Sequence, residues 1–395
     1  MSDIRNNKIL SVFCDAMRGT ALLCVTGPIM QTFLASLGFP SQFLYFHNTL
    51  VQIANVVTIM LFSQWGNRGN IIKRVAILEI PHALLYLLYI PLCLWKSPSF
   101  GSFAAITGIC MLQTICIGLY TVCEYKLPYY IYRAQDYGSI IAVCGISASI
   151  FSFLTGTLIT YLSGILSYSQ LMLGACCVST LLMLGTAFLH SRLKVISSEV
   201  SFDTPSAAPS KVSTRQLLRY PIFYRMIPAN LFRGFAYGAT TVMAAIALDL
   251  GFDTGVSTAL VSVQSAAQFI GCAIFGVAVV RLSPRLISLI GCLPFALIPL
   301  MLFPNKFLFL AVFGLMMLGR TLVDYSVPSV LRYAVPLEIA GPYNAWRMLL
   351  HYGGTLAAST VAAFIPVQAL LILAMLCQFF AGITYFSDKT LAIKE

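Results

Sequence analysis

Seven ionisable residues stand inside otherwise apolar runs of this chain: Asp15, Arg18, Glu124, Lys126, Arg233, Arg320 and Asp324. At mid-bilayer a charge costs about 2.5–3.5 kcal/mol on insertion scales, so residues kept there are candidates for binding or proton transfer. Spacing says which of them can meet locally. Asp15 and Arg18 are three apart, and Arg320 and Asp324 four apart, so each pair shares a helix face. Glu124 and Lys126 are two apart and do not. A guanidinium takes a carboxylate or phosphate through two parallel hydrogen bonds, which makes Arg18, Arg233 and Arg320 candidate solute ligands. Desolvation favours the neutral form of a carboxylate, which makes Glu124, Asp324 and Asp15 candidate proton-coupling groups. Counted together, the set holds four cations and three carboxylates, a slightly positive site.

Uncharged polar residues lie in the same kind of run. His47, Asn48, Gln52 and Asn55 fall in one, Gln264 and Gln268 in another, and Tyr120, Tyr125, Tyr237 and Tyr325 flank the acids. Amides and aromatics suit a polar solute such as a sugar, and they equally serve hydrogen bonds between helices. Most of the 12 cysteines sit in apolar runs without metal-ligand spacing, so neither a metal nor another cofactor is expected. No phosphate-cradling Gly-x-x-x-x-Gly-Lys-Ser/Thr loop is present, which argues against direct ATP drive. The histidines His47, His82, His190 and His351 are scattered in sequence, none with an acid five residues on, which argues against a membrane enzyme.

The elements that position these residues are set by composition. Of 395 residues, 59% are hydrophobic and 9% charged, against about 25% charged in a soluble domain. Lipid, not water, is the solvent that such a surface requires. A net charge of +11 does not indicate nucleic acid, because no basic stripe with interleaved aromatics occurs. With about 20 apolar residues per crossing, the chain divides into spans 9–35, 41–65, 72–95, 102–131, 139–163, 168–190, 224–249, 255–280, 285–303, 307–332, 343–364 and 366–386. The expected fold is all-α, with twelve transmembrane helices in two six-helix bundles, 1–190 and 224–395, joined by a polar linker at 191–223. Lys and Arg collect on the side of the linker and both termini, leaving only Lys96 and Lys306 opposite. That side is predicted to be cytoplasmic, in a cell (inner) membrane. The first apolar run contains Asp15 and Arg18, which a cleavable signal would avoid.

The halves repeat one another. Asp15-Ala16-Met17-Arg18-Gly19 is matched by Asn230-Leu231-Phe232-Arg233-Gly234, and Leu37-Gly38-Phe39 by Leu250-Gly251-Phe252. Arg68 and Arg281 hold matching loops. Glu124-Tyr125-Lys126-Leu127-Pro128 is matched by Asp324-Tyr325-Ser326-Val327-Pro328, with Arg133 and Arg332 beyond. Several matches in the same order argue for duplication of a six-helix unit.

In its twelve spans and two repeats the chain resembles the major facilitator superfamily. That family carries a Gly-x-x-x-Asp-Arg-x-Gly-Arg loop after its second helix. Here the loop reads Ser63-Gln64-Trp65-Gly66-Asn67-Arg68-Gly69-Asn70, with Lys73 and Arg74 following, and its second copy keeps Gly276 and Arg281; neither copy has the acid. The resemblance implies gating loops at Arg68 and Arg281. It also implies that the first, fourth, seventh and tenth helices line a central cavity, and these are the helices that carry the seven charges. An arginine on the first helix mirrored on the seventh is similar to the paired arginines of organic-anion carriers in that superfamily.

The expected function is secondary active transport of a small polar, anionic organic solute by alternating access, coupled to protons, by a monomer in the bilayer. A sugar carrier or an exporter of apolar compounds is the alternative, and a membrane enzyme the remote one. Within this scheme Arg233, which faces Asn230 where Arg18 has Asp15, is expected to reach the solute more directly than Arg18. Glu124, with Tyr120 one turn before it where Asp324 has Arg320, is expected to carry the proton.

Overall fold

A computed structural model of the chain describes residues 2–25, 27–63, 65, 70–94, 98–124, 126–133, 136–196, 214–335 and 337–389. Helices account for the architecture, and no strand occurs among these residues. Ser2–Val25 with Gly27–Ser36 make the first span, Ser41–Phe62 the second, Ile71–Leu87 with Tyr89–Leu94 the third, Phe100–Glu124 the fourth, Tyr137–Leu162 the fifth and Tyr168–Ser191 the sixth. Pro221–Thr241 with Met243–Asp249 make the seventh, Thr254–Arg281 the eighth, Pro284–Cys292 with the 3-10 segment Leu293–Leu302 the ninth, Lys306–Ala334 the tenth, Leu337–Ala362 the eleventh and Val367–Ser387 the twelfth. Ten of these are long and apolar enough to cross a membrane, and the bent seventh makes eleven. The remaining span, the eleventh, is Leu337–Ala362, 26 residues long, whose apolar content Asn344, Arg347 and His351 dilute.

One boundary and one helix type differ from the sequence reading. The fourth span stops at Glu124, and a separate short helix, Leu127–Ile131, follows, because Pro128 sits at its first turn where no backbone donor is needed. The ninth continues as a 3-10 helix through Pro294 and Pro299, which cannot donate to an α-helical ladder. Between the sixth and seventh spans a short helix, Thr214–Leu217, is present. Residues 197–213 of the expected linker, with Arg68, Lys96 and Tyr125, lie outside the described residues.

The repeats read in sequence have the same local geometry. Gly38 and Gly251 both have positive φ, +93° and +82°. Each ends the first span of its half with the same pair of hydrogen bonds. Gly38 donates to Ala35 O (2.9 Å) and Phe39 to Leu34 O (3.3 Å); Gly251 donates to Leu248 O (2.9 Å) and Phe252 to Ala247 O (3.0 Å). Glycine adopts this left-handed cap without the clash of a Cβ. The seventh span is also bent by 55° at the break between Thr241 and Met243. An interrupted helix leaves carbonyls free in the bundle interior, where a partner or a cavity must satisfy them.

Within each half the first helix lies against the fifth and sixth of that half: the first span on the fifth and sixth, the seventh on the eleventh and twelfth. The halves meet along the fifth with the eighth and the second with the eleventh. Small residues set the tightest crossing. A Cβ on Gly234 would meet the His351 carbonyl, and one on Gly354 the Leu231 carbonyl, so the seventh and eleventh backbones touch. Thr355 Oγ1 donates to Gly234 O at 3.1 Å across the same crossing.

Candidate functional site

A cavity of about 820 Å³ lies between the two halves. Its wall is drawn from the first, second, fourth, fifth, seventh, eighth, tenth and eleventh spans, with His190 from the sixth. Tyr237, Arg320, Gln52, Asn55, Gln264, Gln268, Asp15, Glu124 and Asp324 all line it. These nine candidate residues are thus brought to one space, with Asn48, Tyr120 and Tyr325 beside them.

At the connections opposite the termini the halves are bolted together above this space. Gln31 Nε2 donates to Thr241 O at 2.6 Å, at the bend in the seventh span. Asn48 Nδ2 donates to Ser359 Oγ at 2.6 Å and Thr241 Oγ1 at 3.2 Å. Tyr45 Oη donates to Asp249 Oδ2 at 2.6 Å. These residues come late in the first, seventh and eleventh spans or early in the second, so they share one face of the bundle. Toward the other face the wall continues through Ser11, Leu127, Pro128, Ile131, Tyr132 and Tyr137.

The charges divide by half. In the second half Asp324 is bonded to Arg233 and also accepts from Arg320 Nε at 3.3 Å. Arg320 lies with its Cζ 3.5 Å over the Tyr237 ring, and its Nη1 reaches Thr240 Oγ1 at 3.4 Å. The i,i+4 pairing of Arg320 and Asp324 follows from their spacing. The cross-helix partner of Arg233 does not: Arg233 is buried behind the wall with Asp324 rather than presented to the cavity.

In the first half Arg18 has its Cζ 3.5 Å over Tyr120 and its Nε 3.7 Å from Glu79 of the third span. Asp15, the neighbour expected from spacing, is not within ion-pair distance; it takes a hydrogen bond from Cys144. Arg18 stands behind Tyr120, off the cavity wall. Glu124 accepts from Tyr120 Oη at 3.4 Å and has no cation within ion-pair distance among the described residues. Lys126 is buried at the start of the short helix Leu127–Ile131 and is not part of the wall.

The expected surplus of cations therefore does not reach the cavity. On the wall three carboxylates, Asp15, Glu124 and Asp324, face one arginine, Arg320, because Arg18 and Arg233 are off the wall beside Glu79 and Asp324. Amide oxygens complete the surface. Gln52 Oε1 and Asn55 Oδ1 are buried on the wall without a hydrogen-bond partner, the condition in which a polar atom most favours a ligand or water. Arg281, expected in a gating loop, is exposed at the end of the eighth span.

Spacing missed two residues. Glu79 and His190 are almost fully buried and joined at 2.7 Å, Nδ1 to Oε2, across the third and sixth spans. A carboxylate inside the apolar run of the third span was the available signal; its histidine partner was invisible because it lies far along the chain.

No protein-family model matches the chain, and no curated protein matches it in sequence. Solved structures match in fold. A bacterial homologue of the iron transporter ferroportin, in an outward-facing state with soaked iron, superposes with TM-score 0.65 at 12% identity, covering 97% of this chain and 98% of that one. The nucleoside transporter NupG, in a mutant form, superposes with TM-score 0.66 at 11% identity, covering 96% and 99%. Both have the major facilitator fold, and over nearly its whole length this chain has that fold too.

Proposed function

We propose that the chain is a secondary active transporter that moves a small polar organic solute across a membrane by alternating access, with protons as the coupling ion. The observation that carries this reading is one polar cavity between two repeated halves, joined at one face by the short hydrogen bonds of Gln31, Asn48 and Tyr45 and at the opposite face by the longer bond from Tyr129 Oη to Val335 O at 3.4 Å. Breaking the short bonds while closing the opposite face would expose the same residues to the other side. The moving bodies are residues 1–190 and 224–395, linked through 191–223. In this reading both termini and the linker lie in the cytoplasm, on the side where the positive residues collect, and the carrier is a monomer in the cell membrane.

The amides Gln52, Asn55, Gln264 and Gln268, with Tyr237 and Arg320, are the proposed solute ligands. Glu124 and Asp15, which have no ion-pair partner within 4.0 Å among the described residues, are the proposed proton carriers. The arrangement suits a hydrogen-bonding solute such as a nucleoside or sugar, the former also being the substrate named for one structural neighbour. A second reading, a solute with an anionic group, is favoured by Arg320, the cation that the cavity presents. The iron of the other neighbour finds no group of three or more His, Cys, Asp and Glu side chains among the described residues.

The test is uptake into proteoliposomes of labelled nucleosides, sugars, carboxylates and phosphate esters, with and without a pH gradient. The expected result is accumulation of one polar class only when the gradient is present. Uptake of none of them under either condition would overturn the transporter reading. Uptake independent of the pH gradient would overturn the coupling.

A further inference from the structure

Behind the cavity wall of the first half lies a cluster of ionisable groups that solute binding does not use. Glu79 of the third span is buried to 1% exposure and receives His190 Nδ1 at 2.7 Å. A carboxylate only accepts, so Nδ1 carries the donated proton and Nε2 is the nitrogen left to take another. His190 is itself part of the cavity wall, so a proton can reach it from that space. The other oxygen of Glu79 faces Arg18 Nε at 3.7 Å, too far for a hydrogen bond, and both of those atoms lack a hydrogen-bond partner.

Around this pair, the third span also presents His82, which is bonded to Tyr86. The first span presents Cys14, Asp15 and Arg18. The fourth presents Tyr120, its ring 6.0 Å from that of His190, and Glu124. Arg18 thus stands among three carboxylates, Glu79, Asp15 and Glu124, and makes a hydrogen-bonded contact with none of them. Its ion-pair contact among them is the long one to Glu79.

We infer that His190, held by Glu79, is a proton-binding site of this carrier separate from Glu124, and that its protonation loosens Arg18 from Glu79 toward the cavity acids Glu124 and Asp15. The step balances simply. A proton from the cavity binds His190 Nε2, and no bond between heavy atoms forms or breaks. Glu79 then faces two cations with one charge. The His190 contact is short and hydrogen-bonded, whereas the Arg18 contact is long, so Arg18 is the partner released. Arg18 already lies over the ring of Tyr120, whose hydroxyl donates to Glu124, so its movement would join the buried pair to the cavity. The inference deepens the proton-coupling reading above and rests on it.

The probe is the proton alone. Full-length protein in proteoliposomes on a solid-supported membrane is given a jump from about pH 8 to about pH 6 without solute, and the displaced charge is measured. Histidine is the side chain whose ordinary titration falls in this interval. His190→Gln, which keeps a donor for Glu79 but does not titrate, is expected to lose half or more of the wild-type charge movement. Glu79→Gln is expected to reduce the same component, because His190 loses the carboxylate that holds it. Glu124→Gln is expected to retain the His190 component. Because Glu79→Gln leaves Arg18 without its buried partner and can unfold the protein, His190→Gln is decisive, with circular dichroism to confirm its helical fold. Wild-type charge movement in folded His190→Gln overturns the inference. If the His190-dependent movement is present while no solute is taken up, the transporter reading fails instead.

Discussion

Arg233 of the seventh span is bonded to Asp324 of the tenth, so that this carboxylate stands between two guanidiniums, Arg233 and Arg320. Removing the acid would leave the two guanidiniums without the carboxylate that joins them. Breaking a buried pair costs about 3–5 kcal/mol when the charge left behind is fully desolvated. Asp324 keeps 28% side-chain exposure, so about 2–4 kcal/mol is expected for Asp324→Asn. Arg233→Lys, which keeps the charge and loses the planar fork, should cost less. Thermal unfolding of the detergent-solubilised variants checks the order; a wild-type midpoint for Asp324→Asn would remove the pair from the list of stabilising contacts.

The two matched acids should separate in transport assays. Asp324 has two cations at hand, whereas Glu124 has the Tyr120 hydroxyl. Glu124→Gln is expected to abolish solute accumulation driven by a pH gradient while sparing solute exchange, which needs no net proton movement. Accumulation at the wild-type level in Glu124→Gln would transfer the coupling role to Asp15 or Asp324.

The bolted face sets a conformational equilibrium. Gln31→Ala removes the 2.6 Å bond to the Thr241 carbonyl, and Asn48→Ala removes the 2.6 Å bond to Ser359. Each net hydrogen bond is worth about 0.5–1.5 kcal/mol, so each change should raise the population open at this face by about 2- to 12-fold. Spin labels at the exposed positions Ile165 and Phe364, with exposed Cys177 replaced by Ser, report the separation of the halves. A distance distribution unchanged in both variants would show that other contacts hold the face shut.

Glycine tolerance should follow the helix crossings. Gly234→Ala places a methyl against the His351 carbonyl, and helix backbones there have no flexible side chain to yield. A loss of about 1–3 kcal/mol is expected from such overpacking. Gly353→Ala meets nothing within 4 Å and should change stability by less than about 0.5 kcal/mol. Equal unfolding temperatures for the two variants would contradict the close approach of the seventh and eleventh spans.

How much of this was legible beforehand differs between fold and site. The repeated Leu-Gly-Phe segments announced equivalent turns, and Gly38 and Gly251 adopt the same left-handed cap. The assignment of charges to the first, fourth, seventh and tenth spans brought Asp15, Glu124, Arg320 and Asp324 to one cavity. Helix periodicity also gave the Arg320–Asp324 contact, because residues four apart on one helix are neighbours whatever surrounds them.

Sequence by itself therefore determined the solvent, the crossings, the duplication and the helices that carry charge, since each depends on local composition or on spacing along one helix. Tertiary structure alone decided which charges face the cavity. Arg18 turns from Asp15, three residues away, to Glu79 on another span, and Arg233 finds Asp324 rather than remaining free. In a medium of low dielectric an ionised group gains most from whichever opposite charge the packing brings nearest. That distance is fixed by the rotation and depth of every helix in the bundle together, so the pairing of His190 with Glu79 could not be read from either residue's neighbours in the chain.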